Sequence, residues 1–118
     1  MTAQLAVVRT SDVRESSNPG VFTRRVMGGD DGVGAIFIGE IAIRPDAVIH
    51  RHRHRVEEVF FLIDGVGTLE TDHESVRVRL SDAVAVPANP YYSFTNDGDE
   101  DVRSVYALPS VKPGTQYS

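Results

Sequence analysis

Hydrophobic residues along this chain fall mostly at every second position, in short runs broken by glycine, proline, asparagine and aspartate. Successive side chains of an extended strand point to opposite faces, so this spacing predicts strands. The first two cover residues 5–9 and 21–26, separated by a polar stretch ending in Ser17-Asn18-Pro19-Gly20. Residues 35–43 predict a longer strand with Ile36, Ile38 and Ala42 on one face and Phe37, Ile41 and Ile43 on the other. A strand apolar on both faces has to be covered on both. Further strands are expected at 60–63, 67–72, 76–80, 83–86, 91–96 and 102–108, with turns at Asp64-Gly65, His73-Glu74 and Asp97-Gly98. No segment carries a helical period. Strands recurring at this pitch predict an all-β fold, a sandwich or barrel.

The stretch His50 to Gly65 carries the chemistry. Its first six residues alternate His-Arg-His-Arg-His-Arg. On a strand this places His50, His52 and His54 on one face and Arg51, Arg53 and Arg55 on the other. Two glutamates follow, Glu57 and Glu58, before the apolar run. Two or three imidazoles and a carboxylate can thus converge from adjacent strands, which is the outline of a metal site.

The spacing His52-Arg53-His54, three residues, Glu58, six residues, Gly65 resembles the first motif of the cupin superfamily. Asp46 stands where that motif begins with glycine. The second cupin motif is matched loosely by Ser81, Pro87-Ala88-Asn89, Tyr92 and Asn96, with both of its glycines replaced and Tyr92 in place of its histidine. Asparagine tolerates the left-handed backbone that a tight turn requires. The resemblance spans residues 34–109 and implies an antiparallel cupin jelly roll occupying one domain over 1–118, with residues 1–33 as N-terminal strands and loop and 110–118 as a tail. It also implies a homodimer.

His52, His54 and Glu58 offer two imidazole nitrogens and a carboxylate, a set suited to Fe, Mn, Ni or Zn as a divalent transition metal. Tyr92 has three readings: a phenolate ligand, which its usual pKa of about 10 makes costly, a proton donor or acceptor, or an aromatic wall. His50 lies one pleat further out, about 7 Å along the strand from His52, where it reads as a substitute ligand or, in preference, a proton shuttle near the pocket mouth. Phe60, Leu62, Phe94 and Tyr106 are candidate pocket-lining residues, with Tyr91 at the rim. His73 falls in a turn exposed to solvent.

At 118 residues the chain has the size of one domain, and at 41% hydrophobic it can bury a modest core. The net charge of −5 argues against a nucleic-acid surface. The absence of cysteine excludes disulfides and thiolate chemistry. No signal-peptide pattern opens the chain, and no run approaches the roughly 18 apolar residues of a membrane span, so a soluble cytoplasmic protein with no membrane partner is expected. Gly28-Gly29-Asp30-Asp31-Gly32 reads as a solvated turn. The tail after 109 is expected to be mobile or to wrap a neighbour. Strands apolar on both faces predict a sheet face that a second copy covers.

Three functions remain open for a small-molecule substrate. In order of preference they are a metal-dependent cyclase, isomerase or lyase acting on a small carbonyl compound, as the resemblance to polyketide cyclases and sugar or keto-acid isomerases implies; a non-haem Fe(II) dioxygenase; and a non-catalytic binding module.

Overall fold

The computed structural model describes residues 5–28, 33–109 and 115–117. A 3₁₀ turn at Thr10–Asp12 is followed by eleven strands: β1 (Glu15–Asn18), β2 (Val21–Met27), β3 (Phe37–Ile43), β4 (Val48–Arg53), β5 (Glu58–Asp64), β6 (Val66–Thr71), β7 (Ser75–Arg79), β8 (Ala83–Val86), β9 (Tyr92–Thr95), β10 (Val102–Leu108) and β11 (Gln116–Tyr117). They form an antiparallel jelly roll of two sheets, ordered β1-β2-β3-β10-β5-β8 and β11-β4-β9-β6-β7. Among the described residues no helix is long and apolar enough to cross a membrane.

The alternation in the sequence becomes the inner and outer faces of these sheets. Val21, Ile43, Leu62, Leu69, Val78, Val86, Phe94 and Val102 point between the sheets and form the core together with Tyr92. The outer face of the six-stranded sheet is apolar as well. Cross-strand pairing lines up Ile38, Ala107, Val59 and Ala85 in one row and Val105, Phe61 and Ala83 in the next. Phe61 is 47% exposed and Ile63 49%, so half of each side chain faces outward from the sheet.

The structure departs from the expected strands at both ends of the chain. Residues 5–9 are not a strand; Leu5 and Val7 lie exposed. The polar run Glu15–Asn18, part of the stretch expected to separate the first two strands, pairs with β2 as an edge strand. An edge needs only main-chain hydrogen bonds on one side, so its side chains can all stay in water, and periodicity is blind to it. Within the tail, Gln116–Tyr117 pairs with Arg53 and His52 of its own chain. Residues 29–32 of the glycine-aspartate cluster, and 110–114 and 118 of the tail, lie outside the described residues.

One end of the sandwich is tied by Asn96, which has no exposed surface. Its Nδ2 donates to the carbonyls of Ile43 and Glu100, each at 2.8 Å, and its Oδ1 accepts from Gly98 N. Its backbone exchanges two further bonds with Asp46 and Ala47. The turn after β3 and the turn after β9 are thereby fastened to each other with every polar atom of the amide used.

Among the described residues, three other than glycine adopt positive φ: Asp46 at 67°, Ser81 at 71° and Asn89 at 85°. They occupy the three positions where the sequence pattern substitutes for glycine, so the left-handed turn is kept while the residue that adopts it most freely is not. Serine has the least reason to tolerate this conformation. Ser81→Gly is therefore expected to stabilise the fold by about 0.5–1 kcal/mol, raising the midpoint of thermal unfolding by roughly 2–6 °C. An unchanged or lowered midpoint would show that Ser81 carries no left-handed strain.

Candidate active site

Four polar side chains meet between the sheets. His52, on β4, is paired directly across the ladder with Tyr92 on β9; His54 follows the end of β4; Glu58 opens β5 in the opposite sheet. His52, Glu58 and Tyr92 are buried, at 7%, 5% and 2% exposure. The Tyr92 hydroxyl donates to Glu58 Oε1 across the interior and lies 3.1 Å from His52 Nε2. His52 Nδ1 is 2.7 Å from the carbonyl oxygen of His50. A carbonyl only accepts, so Nδ1 carries the proton and, in the neutral ring, Nε2 presents a lone pair to Tyr92. Tyrosine has one proton for two acceptors. When Glu58 is itself protonated, its hydroxyl can serve Tyr92 and free the phenol proton for His52.

Electrostatics favours the neutral forms. Burial pushes Glu58 up to about 7, against the pull of its bond from Tyr92. Burial, reinforced by neighbouring His52, pushes His54 down to about 4. Burial also lowers His52 and, with the nearby Glu58, raises Tyr92. His54 Nε2 stands 3.4 Å from Glu58 Oε1, the spacing of an ion pair. Since both groups are shifted toward neutrality by lost hydration, the contact is dipolar rather than ionic between those two values. On its other side His54 Nδ1 meets the Thr115 hydroxyl at 3.1 Å.

This cluster lines a cavity of about 380 Å³ together with Phe60, Phe37 and Tyr106, with Arg14 and Arg25 also on its wall. Aromatic rings link the cluster to the guanidinium of Arg25. Phe60 lies 6.2 Å from Tyr92 and 6.4 Å from Tyr106, Tyr106 meets Phe37 edge-on at 5.6 Å, and Arg25 sits 4.3 Å above Phe37. Tyr106 fits because its neighbour across the ladder is Gly39, where a Cβ would collide with the phenol. Burial raises Tyr106 to about 12.

Of the expected site residues, His52, His54, Glu58 and Tyr92 come together, and Phe60 and Tyr106 line the cavity. His50 does not belong with them. Between Ile49 and His52, β4 carries one residue more than its partner β9. This bulge breaks the alternation, keeps Ile49 and His52 on the inside and leaves His50 exposed. Its contribution to the site is the main-chain carbonyl that orients His52. Leu62 and Phe94 pack in the apolar core instead of the cavity. Tyr91 faces outward, with Arg51 and Arg53 stacked on its ring, each 4.9 Å away. His73 is exposed, its main-chain N–H bonded to the Thr71 hydroxyl.

Reasoning from sequence missed Arg14, Arg25, Thr115 and Tyr117 on the cavity wall. Alternation along β2 was a usable signal for Arg25; nothing local marked Arg14 or the tail.

Residues 39–107 match the model of the Cupin domain family. The chain is a cupin. It is 29% identical over 83 residues to the polyketide synthase CurC of Streptomyces cyaneus, covering 70% of this chain and 54% of that protein. It is 30% identical over 78 residues to 5-nitrosalicylic acid 1,2-dioxygenase of a Bradyrhizobium species, covering 64% and 38%. The cupin thus spans about half of the first relative and less of the second. Among solved structures it is similar to the polyketide cyclase RemF of Streptomyces resistomycificus, with a TM-score of 0.81 over 97% of this chain and 85% of that one, at 18% identity. At that identity the likeness establishes the fold.

The donors of this cupin suit a divalent metal in kind: imidazole nitrogens held neutral, and the buried carboxyl of Glu58. As placed, among the described residues no three His, Cys, Asp or Glu side chains form a group able to hold a metal ion. The Tyr92 hydroxyl is interposed between His52 and Glu58.

Glu58 has a folded-state value of about 7 against an ordinary 4.5. Protonation is thus favoured by folding, and the stability linked to this group is complete below pH 4.5 and lost as pH rises to about 7. His54 acts in the opposite sense between about 4 and 6.5 and is present in both proteins to be compared. In metal-stripped protein, Glu58→Gln is expected to match wild type near pH 4 and to be more stable at pH 8, by on the order of 2 kcal/mol. Urea unfolding at the two pH values checks this, and a difference independent of pH would contradict it.

Proposed function

We propose that this cupin is a metal-dependent enzyme acting on a small carbonyl compound, of cyclase, isomerase or lyase type. The observation that carries the proposal is the position of the Tyr92 hydroxyl, held between His52 Nε2 and Glu58 Oε1 at the inner wall of a cavity large enough for one small molecule. His52, His54 and Glu58 would hold the metal, Fe, Mn, Ni or Zn. When bound, it would supply Lewis-acid polarisation of a carbonyl oxygen.

The chain's own residues do the rest. The His50 carbonyl fixes the His52 ring and its tautomer. Tyr92 serves as the proton donor, because its buried hydroxyl sits at the cavity wall between His52 Nε2 and Glu58 Oε1. Phe60 and Tyr106 hold the substrate face and exclude water. The relatives named as a polyketide synthase and a polyketide cyclase support this class. The relative named as a 1,2-dioxygenase favours a second reading, in which two histidines and one carboxylate hold Fe(II) for oxygen chemistry.

Elemental analysis of native protein should find a transition metal that is lost in His52→Ala/His54→Ala; near-zero metal in both would refute the proposal. Tyr92→Phe should retain the metal and lose about 10²- to 10⁴-fold in rate. Full activity in that variant would remove Tyr92 from the chemistry, loss of metal would make it a ligand, and turnover abolished by excluding O₂ would favour the dioxygenase.

The apolar outer face of β3, β10, β5 and β8 supports a homodimer built on it. Light scattering should give twice the chain mass of 12.9 kDa, and Phe61→Glu should shift it toward the monomer. A wild-type mass of 12.9 kDa at micromolar concentration would contradict this assembly.

A further inference from the structure

The protein carries a net charge of −5, yet among the described residues the charged side chains on the cavity wall other than histidine are Arg14, Arg25 and Glu58. That glutamate, Glu58, is buried and bonded to Tyr92 at the polar cluster. The arginines come from a different part of the fold. Arg14 precedes β1 and Arg25 lies on β2, both on the six-stranded sheet side and both exposed. Between the two ends runs the wall of Phe37, Tyr106 and Phe60. The cavity therefore has a cationic end, an aromatic wall and a proton-handling end.

We propose that the substrate is a planar acid, aromatic or enolic, whose carboxylate is received by Arg14 and Arg25 while its ring lies against Phe37, Phe60 and Tyr106. This deepens the reading of His52, His54, Glu58 and Tyr92 as the reaction site and rests on it: the acid end fixes which part of the molecule reaches Tyr92. Guanidinium groups suit this task because their planar N–H pairs match a carboxylate edge. Arg25 is already stacked on Phe37 at 4.3 Å, which holds its plane beside the aromatic wall whatever else it contacts. A cavity of about 380 Å³ is at the small end for ligand sites and suits one or two fused rings.

The test uses 2-naphthoate and 2-naphthol, which share a ring system and differ in the acid group. Isothermal titration calorimetry on the full chain stripped of metal should give naphthoate about tenfold tighter binding than naphthol at low salt. That preference should shrink several-fold at high salt, because the arginines are within reach of screening ions. In Arg14→Gln/Arg25→Gln, both exposed positions, the preference should disappear while naphthol binds as in wild type. Equal affinity for the two compounds in wild type, or a preference that persists in the double variant, would overturn the proposal. Native metal content of Arg14→Gln/Arg25→Gln should match that of wild type, so the acid site and the reaction site fail separately.

Discussion

A buried hydrogen bond joins the two sheets at the site, from the Tyr92 hydroxyl on β9 of one sheet to the Glu58 carboxyl on β5 of the other. Everything at the site is arranged around it. Both groups are buried, and a carboxyl taken out of water needs a partner or must stay protonated. The arrangement meets that need twice, with a phenol donor on one side and the His54 ring on the other. His52 completes the set because the β4–β9 ladder places it opposite Tyr92. Removing Tyr92 would take from His52 Nε2 and from Glu58 Oε1 the hydroxyl that each meets here.

The two polar clusters of the interior serve different ends. Around Asn96 every hydrogen-bonding atom of the amide is matched by main chain, and the result is a rigid joint between two turns. Around Tyr92 the matching is incomplete whenever Glu58 is ionised, since one phenol proton then faces two acceptors. Incomplete satisfaction inside a protein is costly, and here it opens onto a cavity rather than onto packed apolar side chains. The contrast separates a structural knot from a place where protons can move.

The left-handed residues Asp46, Ser81 and Asn89 show that a backbone requirement can outlast the residue that meets it most easily. Read by residue type alone, the second motif looks eroded. Read by φ, it is intact. Asp46 leads into β4, Ser81 connects β7 to β8, and Asn89, which donates its N–H to the His54 carbonyl, leads into β9. Two of the three thus sit at the entrances of the strands that carry His52 and Tyr92.

Periodicity by itself determined the all-β class, most of the strands and the shared face of His52 and His54, because alternation is a local consequence of strand geometry; Glu58 was expected from an adjacent strand and comes instead from the opposite sheet. The family likeness was legible in the same residues. Tertiary structure alone decided the rest. A single extra residue in β4, invisible to pattern, turned His50 outward, since the phase of a strand depends on its partner's register. Which large apolar residues line the cavity and which fill the core depended on where the two sheets part, so Phe60 and Tyr106 went one way and Leu62 and Phe94 the other. Arg14, Thr115 and Tyr117 reached the site from segments with no local signal, because contacts between residues far apart in sequence are set by how the sheets close and not by the neighbours along the chain.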